Sequence, residues 1–234
     1  MNPIYKPSGR AAEYCEYAIN PFLNCTHGCV YCYAPRILHK TREQFHAPGE
    51  PRKGLLAALE KQLSIGDFGG KLIQLGFLCD PYPCDMDTSV TREIIKRIKA
   101  AGAHVQILTK GGAVAQRDFD LLDDKDWFGI TISGAEDKEP KAAPNTERLD
   151  NLLEAWNKGI KNWISLEPVF DAQLVYKLIA RCWRVDELKI GKLNYAPSDI
   201  DWSVFGYECE RLCKEYGRNY YIKEDLRKAM EVQP

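Results

Sequence analysis

The sequence has no apolar run of the roughly 20 residues that a membrane-spanning helix needs. It also lacks a surplus of charge. Its 32 Lys and Arg face 33 Asp and Glu, a formal net charge of -1. So even a balance gives no general pull towards nucleic acid or an anionic membrane. Repeats and low-complexity segments are absent. A secretory segment is absent too, so the nine cysteines point to a reducing cytoplasm rather than to a disulfide framework. No second C-x2-C or H-x3-H pair is present, and a structural zinc usually draws its remaining ligands from one. With 234 residues the chain is long enough for one sizeable core, and we expect a single domain over 1–234.

What is present is the stretch Cys25-Thr26-His27-Gly28-Cys29-Val30-Tyr31-Cys32-Tyr33. Three cysteines stand at C-x3-C-x2-C spacing, with aromatics on both sides of the last. Thiolate is a soft ligand that holds iron–sulfur clusters. Cys25, Cys29 and Cys32 suit three irons of a [4Fe–4S] cube and leave the fourth open to an amine and a carboxylate. The competing reading is structural zinc, but His27 is too close in sequence to both neighbouring cysteines to join them comfortably on one ion.

Along the chain, polar residues 1–13 suggest an extended arm. Apolar runs predict strands at 15–22, 71–79, 104–110, 127–133, 161–169 and 187–191. Between them lie helical patterns. Leu55, Leu56, Leu59 and Leu63 mark one; Val90, Ile94, Ile95 and Ile98 another, capped near Thr88. A short one holds Phe119 and Leu122. Leu149, Leu152, Leu153 and Trp156 mark the next, and Asp171 caps one carrying Leu174, Leu178 and Ile179. A final helix is expected at about 199–216, with a short extended piece at 219–223. Six alternations of strand and helix build parallel βαβ units with right-handed crossovers.

In such a fold the chemistry collects at the carboxyl ends of the strands. The polar residues there are Cys79, Asp80, Thr109, Lys110, Ser133, Glu167 and Asn194. Each alone reads as an ordinary strand-end group. Together Lys110 suits a carboxylate, Ser133 a carboxylate or ribose, and Asp80 an aminium or hydroxyl. Cys209, Cys213 and Cys182 read as core, and Cys15 is ambiguous. His39, His46 and His104 read as surface or strand histidines. Arg36 is either a phosphate contact or a solvated loop residue.

The cysteine spacing resembles the cluster loop of radical S-adenosylmethionine (SAM) enzymes. The blocks INPFLNCTHGCVYCYAP, CDPYPCD, ILTKGG, TISG and SLEP, spread from Ile19 to Pro168, resemble the spore photoproduct lyase-like branch. That resemblance implies an α/β fold of the partial (βα)6 barrel type, a [4Fe–4S] cluster and S-adenosyl-L-methionine as cofactors, and a reductant such as flavodoxin or ferredoxin as partner. It implies SAM contacts from Tyr33, Asp80, Lys110, Ser133, Glu167 and Asn194. It implies hydrogen transfer by Tyr31 and Tyr33, and a hydrogen-donor thiol at Cys79 with Cys84 as the alternative. The Gly-Gly-Glu segment of many radical SAM proteins is missing, and residues 76–80 are its nearest local counterpart. The basic DNA-gripping region of the lyase has no counterpart. The expected function is a radical SAM enzyme acting on a nucleic-acid base or lesion, a nucleotide or a peptide, with a partner protein supplying the grip where the substrate is DNA. The alternative is a non-catalytic iron–sulfur or zinc module acting as electron carrier or regulator.

Overall fold

The computed structural model describes residues 2–231; Met1 and residues 232–234 of the expected 1–234 domain lie outside that range. Seven short strands lie in chain order in one parallel sheet. They are β1 (Tyr17–Ile19), β2 (Leu72–Leu75), β3 (His104–Thr109), β4 (Trp127–Thr131), β5 (Lys161–Leu166), β6 (Glu187–Ile190) and β7 (Tyr220–Ile222). Among the described residues β1 and β7 form no ladder, so the barrel stays open.

Parallel neighbours cannot be joined by a tight hairpin, and every connection here is a crossover. β1 leads to β2 through α1 (Ala34–Ile37), α2 (Arg42–His46) and α3 (Leu55–Ile65). α4 (Ser89–Ala100) joins β2 to β3, and a 3-10 segment (Ala113–Leu121) joins β3 to β4. α5 (Asn145–Asn157), α6 (Ala172–Arg181) and α7 (Trp202–Glu215) complete the series, and α8 (Glu224–Glu231) follows β7.

The expected six βα units are present, and the extended piece at 219–223 becomes a seventh parallel strand paired with β6. α8 is not legible in the sequence, because only Leu226 and Met230 of its eight residues are buried. The arm differs from a purely extended one. Tyr5 bridges to Ala18, and Gly9–Glu13 forms a 3-10 turn.

Strands end earlier than their apolar runs for local reasons. β1 stops because the Asn20 side chain accepts from Phe77 N and Leu78 N, at 2.8 and 2.9 Å. β2 stops because Gly76 turns at φ 80, where a Cβ would stand 2.5 Å from Cys79 O. Helix starts are set by carboxylates. Asp87 accepts from Ser89 N at the head of α4, in place of Thr88. Asp201 accepts from Ser203 N and Val204 N, so α7 begins at Trp202 rather than 199.

Apolar residues of β2, β3 and β6 alternate with Gln74, Gln106 and Lys189, which follows from the two-residue period of a strand. The apolar set (Ile73, Leu75, Val105, Ile107, Leu188, Ile190) joins Ile94, Ile98, Ile179 and Phe205 of the helices in one core. On the other face Gln106 donates to Gln74 at 2.7 Å, and the Lys189 ammonium lies 4.8 Å from the centre of the Trp163 ring. Cys209 and Cys213 are fully buried in the core, as small hydrophobes are.

Candidate active site

All seven strands deliver residues from their carboxyl ends to one cavity of about 570 Å³. The loop after β1 supplies Cys25, His27, Cys29, Tyr31, Cys32 and Tyr33. β2 supplies Cys79 and Asp80, β3 Lys110, β5 Glu167, β6 Lys192 and Asn194, and β7 Lys223. The arm closes the wall with Arg10 and Tyr14.

The cysteine loop is held by its own backbone. Val30 N donates to Lys138 O at 2.9 Å, Cys32 N to Cys29 O at 3.1 Å, and Cys25 N to Phe45 O at 3.1 Å. Gly28 turns the chain at φ 72. The Arg42 guanidinium donates to Cys29 O and to Cys32 O, and His46 Nδ1 donates to Cys25 O at 2.8 Å. All nine cysteines carry unpaired thiols. Burial pushes the Cys29 thiol up to about 11 and raises Cys25 well above its ordinary value. A bound cation is what offsets such a penalty and draws off the protons.

Asp80 is the hub beside this loop. It accepts from Thr109 Oγ1 at 2.5 Å, Lys110 N at 2.7 Å and Tyr82 N at 2.8 Å. His27 Nε2 lies 3.2 Å from Oδ2, the oxygen that also accepts from Lys110 N, without forming a hydrogen bond, so charge holds that pair. Burial opposes ionisation of Asp80, but His27, with Lys110 N and the Thr109 hydroxyl, keeps it below the usual carboxylate range.

Behind the loop is a buried network. Tyr31 Oη donates to Glu139, Ser133 Oγ donates to Glu139 at 2.8 Å, and Arg148 donates to Glu139 at 2.5 Å. Burial works against the charge on Glu139, but Lys110 and Arg148 hold it below its ordinary value. Ser133 is buried and is not part of the cavity wall, so it reaches the site through Glu139. Lys110 stays on the wall, its ammonium 5.6 Å from the centre of the Tyr31 ring.

The opposite wall holds a second network. Lys223 donates to Glu167, Tyr14 Oη donates to Glu167 at 3.2 Å, and Asn194 donates to Glu167 at 3.1 Å. Tyr33 Oη donates to Phe77 O at 2.6 Å. Burial pushes the Cys79 thiol up to about 12, so it is a thiol rather than a thiolate at neutral pH. Cys84 is not on the cavity wall; its thiol donates to Thr26 Oγ1 at 3.4 Å. The sequence reading did not find Tyr14, Glu139, Arg148 or Lys223. Lys223 follows the seventh strand, so the strand-end rule would have found it had 219–223 been counted as one. Glu139 and Arg148 carry no such local signal.

Residues 19–170 match the family model of the Radical SAM superfamily, well over half of the chain. The chain belongs to the radical SAM superfamily. Two curated relatives match over different lengths. The uncharacterized protein MJ0683 of Methanocaldococcus jannaschii is 32% identical over 177 residues, 72% of this chain and 64% of that protein. The chain therefore spans less than two thirds of that relative's length. The uncharacterized protein ORF301 of Acidianus two-tailed virus is 30% identical over 254 residues, 96% of this chain and 79% of that protein.

Among solved structures, a variant of spore photoproduct lyase superposes with a TM-score of 0.69 at 14% identity, covering 93% of this chain and 79% of that one. Another, with bound AdoMet and dinucleoside spore photoproduct, gives 0.64 at 15%, covering 90% and 76%. SuiB of Streptococcus suis bound to S-adenosylmethionine gives 0.65 at 12%, covering 93% and 52%. These likenesses establish the partial barrel. No helix among the described residues of this radical SAM superfamily member is long and apolar enough to cross a membrane.

The donor set fits the family's cluster. Three unpaired thiols of one loop open on the cavity. A single tetrahedral zinc would draw its sulfurs to about 3.8 Å of one another, given Zn–S bonds of about 2.3 Å. Among the described residues, His104, Asp123 and Asp126 bring ligand atoms within 4.8 Å of one another, and none of them belongs to the cysteine loop.

Proposed function

We propose that this chain binds a [4Fe–4S] cluster through Cys25, Cys29 and Cys32 and reductively cleaves S-adenosyl-L-methionine to act on a substrate in the same cavity. When bound, cluster and SAM together supply a 5′-deoxyadenosyl radical, the species that takes hydrogen from the substrate. The observation that carries this reading is the placement of three unpaired thiols on a wall shared with Lys110, Asp80, Glu167 and Asn194.

The chain's own residues bind, orient and exclude water. Lys110 faces the cavity with a charge suited to the SAM carboxylate. Asp80 spends its lone pairs on Thr109, Lys110 N and Tyr82 N, and so orients Lys110 as well as offering its edge to an aminium. Tyr33, Glu167 and Asn194 line the space for the nucleoside and substrate. Ser133 contributes by holding Glu139, which fixes the Tyr31 ring over the cysteine loop. Cys79 keeps its proton at neutral pH and stands on the wall, as a hydrogen-atom donor must. Tyr31 and Tyr33 are the phenols placed to relay hydrogen. The substrate is a nucleic-acid base, a nucleotide or a peptide. A fold neighbour that holds AdoMet and a dinucleoside together supports a cavity with room for both. Flavodoxin or ferredoxin in the cytoplasm serves as reductant.

Anaerobic reconstitution with iron and sulfide tests this. Brown protein whose visible absorbance bleaches with dithionite, and which converts SAM to methionine and 5′-deoxyadenosine, is expected. A colourless, zinc-loaded protein from anaerobic purification would support the non-catalytic metal module instead.

A further inference from the structure

Leu149, Leu152, Leu153 and Trp156 have the spacing of a core-facing helical stripe. In α5 the stripe is only half used. Leu152 is buried, but Leu153 remains 38% and Trp156 40% exposed. A second indole stands beside them. Trp183, in the connection from α6 to β6, is 63% exposed and meets the Trp156 ring edge to face, with centres 6.2 Å apart. Trp183 joins Leu149, Leu152, Leu153 and Val185 in lining a groove of about 430 Å³. Clefts that take ligands span roughly 300–1,000 Å³.

The charge in this groove has one sign. Among the described residues the charged side chains lining it are Arg181 and Arg184, and neither has a carboxylate within 4.0 Å. By contrast Arg92, Arg97, Arg117 and Arg211 are each paired with an acid. Two acids that flank the groove in sequence are engaged elsewhere. Glu154 pairs with Lys158 at 3.4 Å, and Asp186 accepts from Asn162 N at 2.8 Å. The Arg184 guanidinium lies 4.6 Å from the centre of the Trp156 ring and 4.3 Å from that of Trp183. Stacking of this kind engages the flat faces of the fork and leaves its N–H edge to another partner. Arg184 Nε is buried and has no hydrogen-bond partner. A carboxylate is the group that accepts two parallel N–H bonds from such an edge. Trp and Arg are also the residues enriched at the hot spots of protein interfaces.

We propose that this groove docks a partner protein through an acidic, apolar segment, with a carboxylate on Arg184 and Arg181 and apolar side chains against Trp183 and the leucines of α5. Charge complementarity selects the occupant. A second copy docked about a two-fold axis would set arginines against arginines, because such an interface pairs a patch with itself. A nucleic acid strand needs free aromatic faces and a basic track for its backbone. Here Arg184 already lies against both indoles, and leucines rather than further cations form the groove. Residues 181–186 enter β6 at its amino end, so the groove lies towards the opposite end of the sheet from the cavity. Docking there leaves the cavity mouth open to small molecules. The inference does not depend on the cluster chemistry.

The probe is a display library of random peptides, panned on the folded, full-length chain. Enriched peptides should carry Asp or Glu within a few residues of a large apolar side chain. The strongest binder, made synthetically and labelled, should have its dissociation constant raised at least about tenfold by Trp183→Ser and by Arg181→Gln, as loss of a hot spot does. Both positions are exposed, so both variants should melt with the wild type. Ile65→Ser, at another exposed apolar position, is the control and should leave binding unchanged. Salt should weaken wild-type binding, and replacing the acids of the peptide by their amides should remove that dependence. No enrichment, enrichment without acidic residues, or equal affinity for wild type and both variants overturns the proposal. Binding of an oligothymidylate that both variants lose also overturns it, because the groove would then hold nucleic acid. A concentration-dependent dimer in sedimentation that Trp183→Ser disperses overturns it too, because the groove would then be covered by a second copy.

Discussion

Arg148 and Glu139 form an ion pair at 2.5 Å with both side chains at 1% exposure or less, and it sits directly behind the cysteine loop. Arg148 spends its other donors on Ala143 O at 2.7 Å and Thr131 O at 2.8 Å. Glu139 spends its other acceptors on Tyr31 and Ser133. Every group of the pair is occupied, which is the condition under which a buried charge pair is tolerated.

Removing one partner should therefore be costly. Arg148→Met leaves a buried carboxylate, and a loss of about 3–5 kcal/mol in urea unfolding is expected. The double substitution Arg148→Met with Glu139→Leu should recover much of that loss. Strict additivity of the two single losses would show that the residues do not act as a pair.

Gly129 in β4 lies against the Trp163 indole, and a Cβ there would overlap the ring. The indole is pinned, since Trp163 is buried and its Nε1–H donates to Ile107 O at 3.2 Å. Gly129→Ala should cost about 1–3 kcal/mol by overpacking. Gly69→Ala, whose Cβ would meet nothing closer than 4.0 Å, serves as control. Equal melting temperatures for the two variants would contradict the tight contact.

The three loop cysteines should be individually indispensable. If the proposed cluster assignment holds, Cys25→Ala, Cys29→Ala or Cys32→Ala should each lose both the visible cluster absorbance and 5′-deoxyadenosine production, because each would remove one of three thiolates. Removal of iron from the wild type with a chelator should give the same loss, restored by iron and sulfide. Full activity in any one of the three variants rejects that residue as a ligand.

Lys110→Ala should weaken SAM binding with the iron content unchanged. A charge-assisted hydrogen bond contributes about 1.5–3 kcal/mol, or roughly one to two decades of affinity. Equilibrium binding of SAM to reconstituted protein reads it directly. Wild-type affinity would take Lys110 out of the binding site.

Cys79→Ala should still cleave SAM but give altered or uncoupled product. Thiol protons exchange with solvent, so the wild type in deuterated buffer should place deuterium in the product. Normal product from the variant, with the same deuterium content, would move the donor elsewhere, with Cys84 next to be tested. Its thiol points to Thr26 rather than to the cavity wall, which favours Cys79.

Which parts were legible in advance follows from the range of the interactions. Cys25, Cys29 and Cys32 lie within eight residues, so their spacing alone specifies a shared loop. The strands and amphipathic helices show as local periods of two and 3.6, and Asp171 at the head of α6 is a local cap. Alternation of those periods then leads to a parallel sheet, because parallel neighbours require crossovers. Lys110, Asp80 and Glu167 were found at strand ends by that same logic.

The rest depended on the folded chain. Tyr31 meets Glu139 across 108 residues of sequence, Lys223 meets Glu167 across 56, and Tyr14 meets Lys223 across 209. No local pattern encodes such pairings; they arise where the sheet brings distant strand ends to one mouth. Ser133 shows the same point from the other side. Its place after β4 was readable, but its hydroxyl turns to Glu139 because the buried carboxylate needs donors. The sequence by itself determined the cysteine loop, the order of strands and helices, and the end of the barrel where chemistry collects. Only the tertiary structure decided which side chains complete the two walls and which face of the loop is left to solvent, because burial and charge pairing are properties of contacts between segments.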